Sequence, residues 1–223
     1  MKGKIIVFDV GNTLICTSKG ICLSNSVLEC LQALRNKGFI LGIATLRTID
    51  MIHPIIEQFT FDFLILMNGG LIIIDEQIMY SKPLESNIVD KIILESQKKN
   101  IKVKPFSYDE KCYALELESA KDCFSVCNNY TYYIWDDSGN IDITSLGVTK
   151  VNALKYVLNY YSLTKEECIS FGDGFNDYEM LAYVGFGVAM DGAPDAVTNV
   201  ANYVTKSAEN DGVLYACKEL KLI

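Results

Sequence analysis

The chain has 223 residues, with 20 Lys and Arg against 28 Asp and Glu and a formal net charge of −8. Half of it is hydrophobic and 22% is charged, which excludes a disordered chain. The acid excess excludes a non-specific nucleic-acid binder, which needs a basic footprint.

Lys4 to Phe8 is a continuous β-rich run, as expected of a strand buried on both faces, and it ends in the loop Asp9-Val10-Gly11-Asn12-Thr13. Ser24 to Lys37 carries Val27, Leu31 and Leu34 at helical spacing, with Gly38 as a stop. Phe39 to Ala44 predicts a second strand and Asp50 to Phe59 a helix that tolerates Pro54 near its start. Asp62 to Met67 predicts a third strand before Asn68-Gly69-Gly70. Strand, helix, strand, helix, strand is the signature of a doubly wound parallel sheet.

The middle of the chain differs. Glu85 to Lys99 predicts a helix with Ile88, Ile92 and Leu94 apolar. Strands at 101–106 and 112–118, a helix at 119–129 and strands at 131–135 and 141–144 follow, an αββαββ order with antiparallel hairpins. From Lys150 the α/β pattern returns. Helices are expected at 150–161, 175–183 and 193–201 and from Asp211-Gly212 onward, with strands at 168–171 and 185–189. The fold class expected is therefore α/β, a doubly wound, Rossmann-like parallel sheet with an inserted α+β domain. The core would comprise residues 1–79 and 147–223 and the insert 80–146.

None of the eight cysteines forms a Cys-x-x-Cys pair, and Cys123 with Cys127 has no second pair beside it, so reduced thiols are expected. Only Ile5 to Phe8 separates Lys4 from Asp9, too little for a secretory core, and no run reaches ~18 apolar residues. The expectation is a cytoplasmic monomer or small homo-oligomer without nucleic-acid or membrane partners.

In a doubly wound sheet, ligands bind outside the carboxyl ends of the strands. Three loops should meet there, bringing Asp9, Asp173, Asp177, Thr45 and, from a helix start, Lys150. Several carboxylates need a cation, and oxygen ligands of this kind favour Mg²⁺. A hydroxyl and an ammonium beside them suit a phosphoryl oxygen, with an Asp available as nucleophile. His53, the single histidine, falls on a helix outside these loops.

Four motifs in order then identify a resemblance. Asp9-Val10-Gly11-Asn12-Thr13, Ala44-Thr45-Leu46-Arg47, Gly147-Val148-Thr149-Lys150 and Gly172-Asp173-Gly174-Phe175-Asn176-Asp177 resemble those of the haloacid dehalogenase superfamily, and Asn68-Gly69 fits as well. Within it the chain looks like the Cof-type phosphatases with a type IIB cap. The resemblance implies a Mg²⁺-dependent hydrolase of a small phosphorylated metabolite. Asp9 would form an aspartyl-phosphate, and Asp9, the Gly11 carbonyl and Asp173 would hold the metal. Thr45, Arg47, Lys150 and Asn176 would bind phosphate or substrate, and Asp177 would orient the lysine and the metal's waters.

One position departs from the pattern. The family's general acid/base stands two residues after the nucleophile, and here that residue is Gly11, with Asn12 in the family's glycine position. General acid–base help is worth typically 10²–10⁴-fold. Two readings follow: a phosphatase slow on alkyl esters and better on good leaving groups, or a phosphometabolite-binding protein that has lost turnover. Tyr108, Asp109 and Glu110 in an insert loop are candidates to supply the missing proton. Of the aromatic cluster Tyr130, Tyr132, Tyr133 and Trp135, alternation puts Tyr133 and Trp135 on one face, and cap-core packing is expected of the cluster ahead of substrate stacking.

Overall fold

A computed structural model describes residues 4–120, 130–134 and 139–223. The elements in chain order begin with β1 (Ile5–Phe8), α1 (Asn25–Asn36), β2 (Ile40–Ala44), α2 (Ile49–Ile56) and β3 (Phe63–Leu66). The hairpin β4 (Leu71–Ile74) and β5 (Gln77–Ser81) comes next, then α3 (Ser86–Lys98), β6 (Val103–Tyr108), β7 (Lys111–Leu117), β8 (Thr131–Ile134) and β9 (Ile141–Thr144). The chain closes with α4 (Lys150–Tyr160), β10 (Cys168–Gly172), α5 (Tyr178–Tyr183), β11 (Phe186–Ala189), α6 (Asp195–Thr198), β12 (Tyr203–Val204) and α7 (Gly212–Glu219).

Eight strands form one sheet in the order β12-β11-β10-β1-β2-β3-β4-β5, parallel from β12 to β3 and antiparallel through the last two pairings. Successive residues of β1 face opposite sides of the pleat. Ile6 and Phe8 join the core under α1 and α7, where Phe8 stacks on Phe171 at 5.1 Å, while Ile5 and Val7 pack with Leu154 and Val157 of α4. Burial on both faces is why β1 reads as an unbroken apolar run.

The second sheet runs β6-β7-β9-β8 and is antiparallel throughout. Leu115, Leu117, Ile141 and Ile143 of one face pack with Ile92 of α3. The expected α/β sheet with an α+β cap is thus the fold observed. Among the described residues no helix is long and apolar enough to cross a membrane.

Several expectations need correction. The hairpin β4–β5 was not expected, nor was β12. Its turn is made by Asp75 and Glu76, both left-handed at φ 49° and 62°, as a two-residue hairpin requires. Asp-Glu carries no Asn-Gly signal, so the sequence hides it. Pro54 is not near a helix start but the sixth residue of the eight-residue α2, where its missing N–H costs the bond to the Asp50 carbonyl. Leu94 is 53% exposed rather than part of the apolar face of α3. The helix expected at 193–201 shrinks to Asp195–Thr198. The expected helix from Ser119 to Asn129, Trp135, Cys123 and Cys127 fall wholly or largely outside the described residues.

Candidate active site

The carboxyl ends of β1, β2 and β10 deliver Asp9, Thr45 and Asp173 to one place, because these strands are parallel and in register at Phe8, Ile43 and Phe171. Lys150 arrives as the first residue of α4, whose N-cap Thr149 accepts the Asn152 N–H at 3.1 Å. A cation at a helix N-terminus is unfavourable against the helix dipole. Two carboxylates offset it: the fully buried Lys150 ammonium donates to Asp9 Oδ1 at 2.6 Å and to Asp177 Oδ1 at 2.7 Å. Asp177 is held in turn by its Oδ2, which accepts the backbone N–H groups of Asp173 and Gly174 at 3.1 and 3.0 Å. That tuck requires Gly172, since a Cβ there would fall 2.5 Å from Asp177 Cγ.

The charges in this cluster act strongly on one another. Burial lowers the Lys150 pKa, but Asp177 and Asp9 outweigh burial and leave it raised. Burial pushes Asp9 up to about 6 against the opposing pull of Lys150. Burial, then repulsion from Asp9 and Asp177, pushes Asp173 up to about 8. Asp173 enters no ion pair among the described residues and accepts only a long hydrogen bond, 3.3 Å, from Thr13 Oγ1. Oxygens of Asp9, Asp173 and Asp177 lie within 4.8 Å of one another. Two of these carboxylates sit at the edge of the cavity with their ionised forms under-compensated, so the donor set fits a hard divalent cation.

A cavity of about 320 Å³ opens over the cluster, lined from the core by Asp9, Gly11, Thr45, Arg47, Asp173 and Asn176. Six of the eight residues singled out from the sequence for site roles line this cavity, while Lys150 and Asp177 lie behind it, Lys150 bonded to both Asp9 and Asp177. Asn176 is oriented by donating from Nδ2 to Asn68 Oδ1 at 2.9 Å. Asn12 adopts φ 51°, a conformation easy for glycine and tolerated by asparagine, and its Oδ1 accepts from Thr17 Oγ1 at 2.6 Å.

The roof of the cavity was missed. Lys104, Phe106 and Glu116 line it from the cap, on strands paired at Lys104↔Glu116. Lys104 lies 3.7 Å from Glu116 and 4.9 Å from the Phe106 ring centre. The period-two spacing of Lys104 and Phe106 was the available signal, but it does not say what the face covers. The proton-donor candidates Tyr108, Asp109 and Glu110 do not line this cavity. Asp109 and Glu110 form a left-handed hairpin turn, and Tyr108 lines a separate cavity with His53 and Phe63. His53 is exposed, 3.5 Å from Glu57. Tyr133 of β8 feels the charges of Glu179, Lys150 and Asp177, and its phenol is raised chiefly by burial, as cap-to-core packing requires.

Comparison with known proteins bears on this arrangement. The family model described as haloacid dehalogenase-like hydrolase matches residues 6–125 and 110–217. YkrA of Bacillus subtilis (strain 168), provisionally named a phosphatase, is 24% identical over 259 aligned positions covering all of both chains. The 5-amino-6-(5-phospho-D-ribitylamino)uracil phosphatase YitU of the same organism is 43% identical over 79 residues, 35% of this chain and 29% of that one. The solved structure of a subclass IIB sugar phosphatase of the superfamily superposes with a TM-score of 0.86 at 23% identity, covering 99% of this chain and 100% of the other. That last likeness is one of fold.

Proposed function

The chain belongs to the haloacid dehalogenase-like hydrolases, as a Cof-type member with a subclass IIB cap, and from that premise we propose that it removes phosphate from a small phosphorylated metabolite through an aspartyl-phosphate on Asp9. The observation that carries this reading is the buried Lys150 ammonium clamped between Asp9 and Asp177 below a cavity shared by Thr45 and Asp173. Lys150 fixes the Asp9 carboxylate and offsets the repulsion an incoming phosphate would meet. The Thr45 hydroxyl and Asn176 amide would hold phosphoryl oxygens, Arg47 the substrate, and Asp177 keeps the lysine in place.

Asp9, Asp173 and the Gly11 carbonyl would hold Mg²⁺. Bound there, it would supply positive charge between the nucleophile and the phosphate. Residues 1–79 and 147–223 would act as the core and 80–146 as the cap, with hinges near Lys82-Pro83 and Ser145-Gly147. A cytoplasmic setting belongs to the same proposal.

The raised carboxylates give this reading a sign that a melting curve can check. A carboxyl whose folded pKa exceeds its unfolded value near 3.8 favours folding below that value and loses the advantage as pH rises through the folded pKa. For Asp9 and Asp173 the loss runs from about pH 4 through about 6 and 8. Without divalent cation the thermal midpoint should therefore fall across this window, and Mg²⁺ should raise it more at the alkaline end. Equal Mg²⁺ shifts at both ends would count against these carboxylates as the cation site.

Turnover is tested by phosphate release with Mg²⁺ on a panel of phosphate esters. Gly11 has room for a Cβ, which would meet Thr17 Cγ2 at 3.6 Å and Arg47 Nη2 at 3.9 Å, both ordinary contacts. Gly11→Asp should raise rates on alkyl esters by up to ~10²-fold and those on p-nitrophenyl phosphate much less. Equal wild-type rates on alkyl and aryl esters would sink the leaving-group expectation. The absent acid at Gly11 also favours a second reading, a binding protein without turnover, which predicts Mg²⁺-dependent ligand binding and no release even from p-nitrophenyl phosphate.

A further inference from the structure

The niche beside Gly11 is bounded by two side chains of different status. Thr17 is committed, its hydroxyl donating to Asn12 Oδ1 at 2.6 Å. Arg47 is not. Its guanidinium stands 3.9 Å from where a Gly11 Cβ would begin, and it enters no ion pair or side-chain hydrogen bond with any described residue. The base of Arg47 is nevertheless fixed, with its N–H donating to Thr45 Oγ1 and its carbonyl accepting from Met67, both at 3.3 Å. The other cations of the site are engaged: Lys150 with Asp9 and Asp177, Lys104 with Glu116 and the Phe106 ring. An anchored, partly buried and uncommitted guanidinium facing a cavity is a fork for an anionic oxygen.

We infer that Arg47 takes over the leaving-group end of the reaction, stabilising by charge the oxygen that an acid at position 11 would have protonated. The inference rests on the aspartyl-phosphate reading. An Asp9 carboxylate oxygen attacks phosphorus, and the bond from phosphorus to the leaving oxygen breaks with its electron pair remaining on that oxygen. Arg47 keeps its protons and donates hydrogen bonds to the oxygen as charge develops, and water then supplies the proton. In the second half a water oxygen attacks phosphorus, the bond to Asp9 breaks, the carboxylate is restored and the water's proton passes to solvent.

The test compares wild type, Arg47→Met and Arg47→Lys with Mg²⁺ on aryl phosphates graded by leaving-group pKa and on one alkyl phosphate. Arg47→Met should lower kcat on the alkyl ester by about 10²-fold, the scale of losing one donor to a developing oxyanion, and on p-nitrophenyl phosphate only several-fold, with KM little changed. Its dependence on leaving-group pKa should steepen. Added guanidinium ion, kept below denaturing concentration, should restore part of the alkyl-ester rate, and Arg47→Lys should fall between the two. Combined with Gly11→Asp, the same Arg47→Met change should lose less on the alkyl ester, because an acid then shares the task. A uniform loss on all substrates, a rise in KM alone, or an undiminished loss in the Gly11→Asp background would overturn the inference and make Arg47 a phosphate binder. If wild type releases nothing from p-nitrophenyl phosphate, the underlying reading fails and takes this inference with it. If wild type turns over and Asp9→Asn does not, the leaving-group slopes judge Arg47 alone.

Discussion

Asp9→Asn should abolish Mg²⁺-dependent phosphate release, by at least ~10³-fold on every substrate, while the protein stays folded. The amide has the carboxylate's shape but not its nucleophilicity. Its oxygen still accepts from Lys150, whose second partner Asp177 is untouched. Repulsion from Asp9 is the second contribution raising Asp173, so its removal relaxes that carboxyl toward ordinary values. The variant should therefore melt no lower than wild type in the absence of cation and gain less from Mg²⁺. Full activity in this variant would overturn the covalent mechanism. Loss of activity accompanied by a large fall in melting temperature would make Asp9 a structural residue instead.

Lys150→Met should do both kinds of damage. It removes the cation shared by two carboxylates in a place where Lys150 is fully buried and Asp177 essentially so. Breaking a buried charge pair from one side is worth about 3–5 kcal/mol. For a chain of this size that lowers the thermal midpoint by about 6–20 °C. Asp177 retains its two backbone donors, so Asp9 should carry most of the new strain. The deficit should shrink in acid, where the freed carboxylates take up protons, and grow as pH rises. Activity should fall by about 10³-fold even at temperatures where the variant is folded, since the charge facing the phosphate is gone. A thermal midpoint within a few degrees of wild type would mean that the ion-pair geometry at Lys150 contributes little to folding.

How legible all this was depends on how local each signal is. β1, β2, β3 and β10 were readable because strands buried on two faces leave apolar runs. Asp9, Thr45, Lys150 and Asp173 were readable because parallel strands put their ends together wherever the chain order alternates strand and helix. The β4–β5 hairpin was not, because Asp75-Glu76 adopts a turn normally marked by Asn or Gly. Pro54 sat deeper in α2 than its surroundings suggested. The cap's Lys104, Phe106 and Glu116 were out of reach for a different reason. Their place above Asp9 follows from how the second sheet docks on the first, and no short stretch of residues encodes that. Arg47 was marked as a substrate contact, but that its tip lies against the empty position 11 is a fact of three dimensions.

That empty position has a consequence at the level of the gene. Two glycine codons, GGT and GGC, each become aspartate by a single base change, and an added Cβ would meet Thr17 and Arg47 only at ordinary contact distance. By contrast Gly172, pressed against Asp177, admits no such change. Where the Gly11 codon is GGT or GGC, the step from charge-assisted to proton-assisted departure of the leaving group is one nucleotide long, open to random mutagenesis and selectable for growth on an alkyl phosphate.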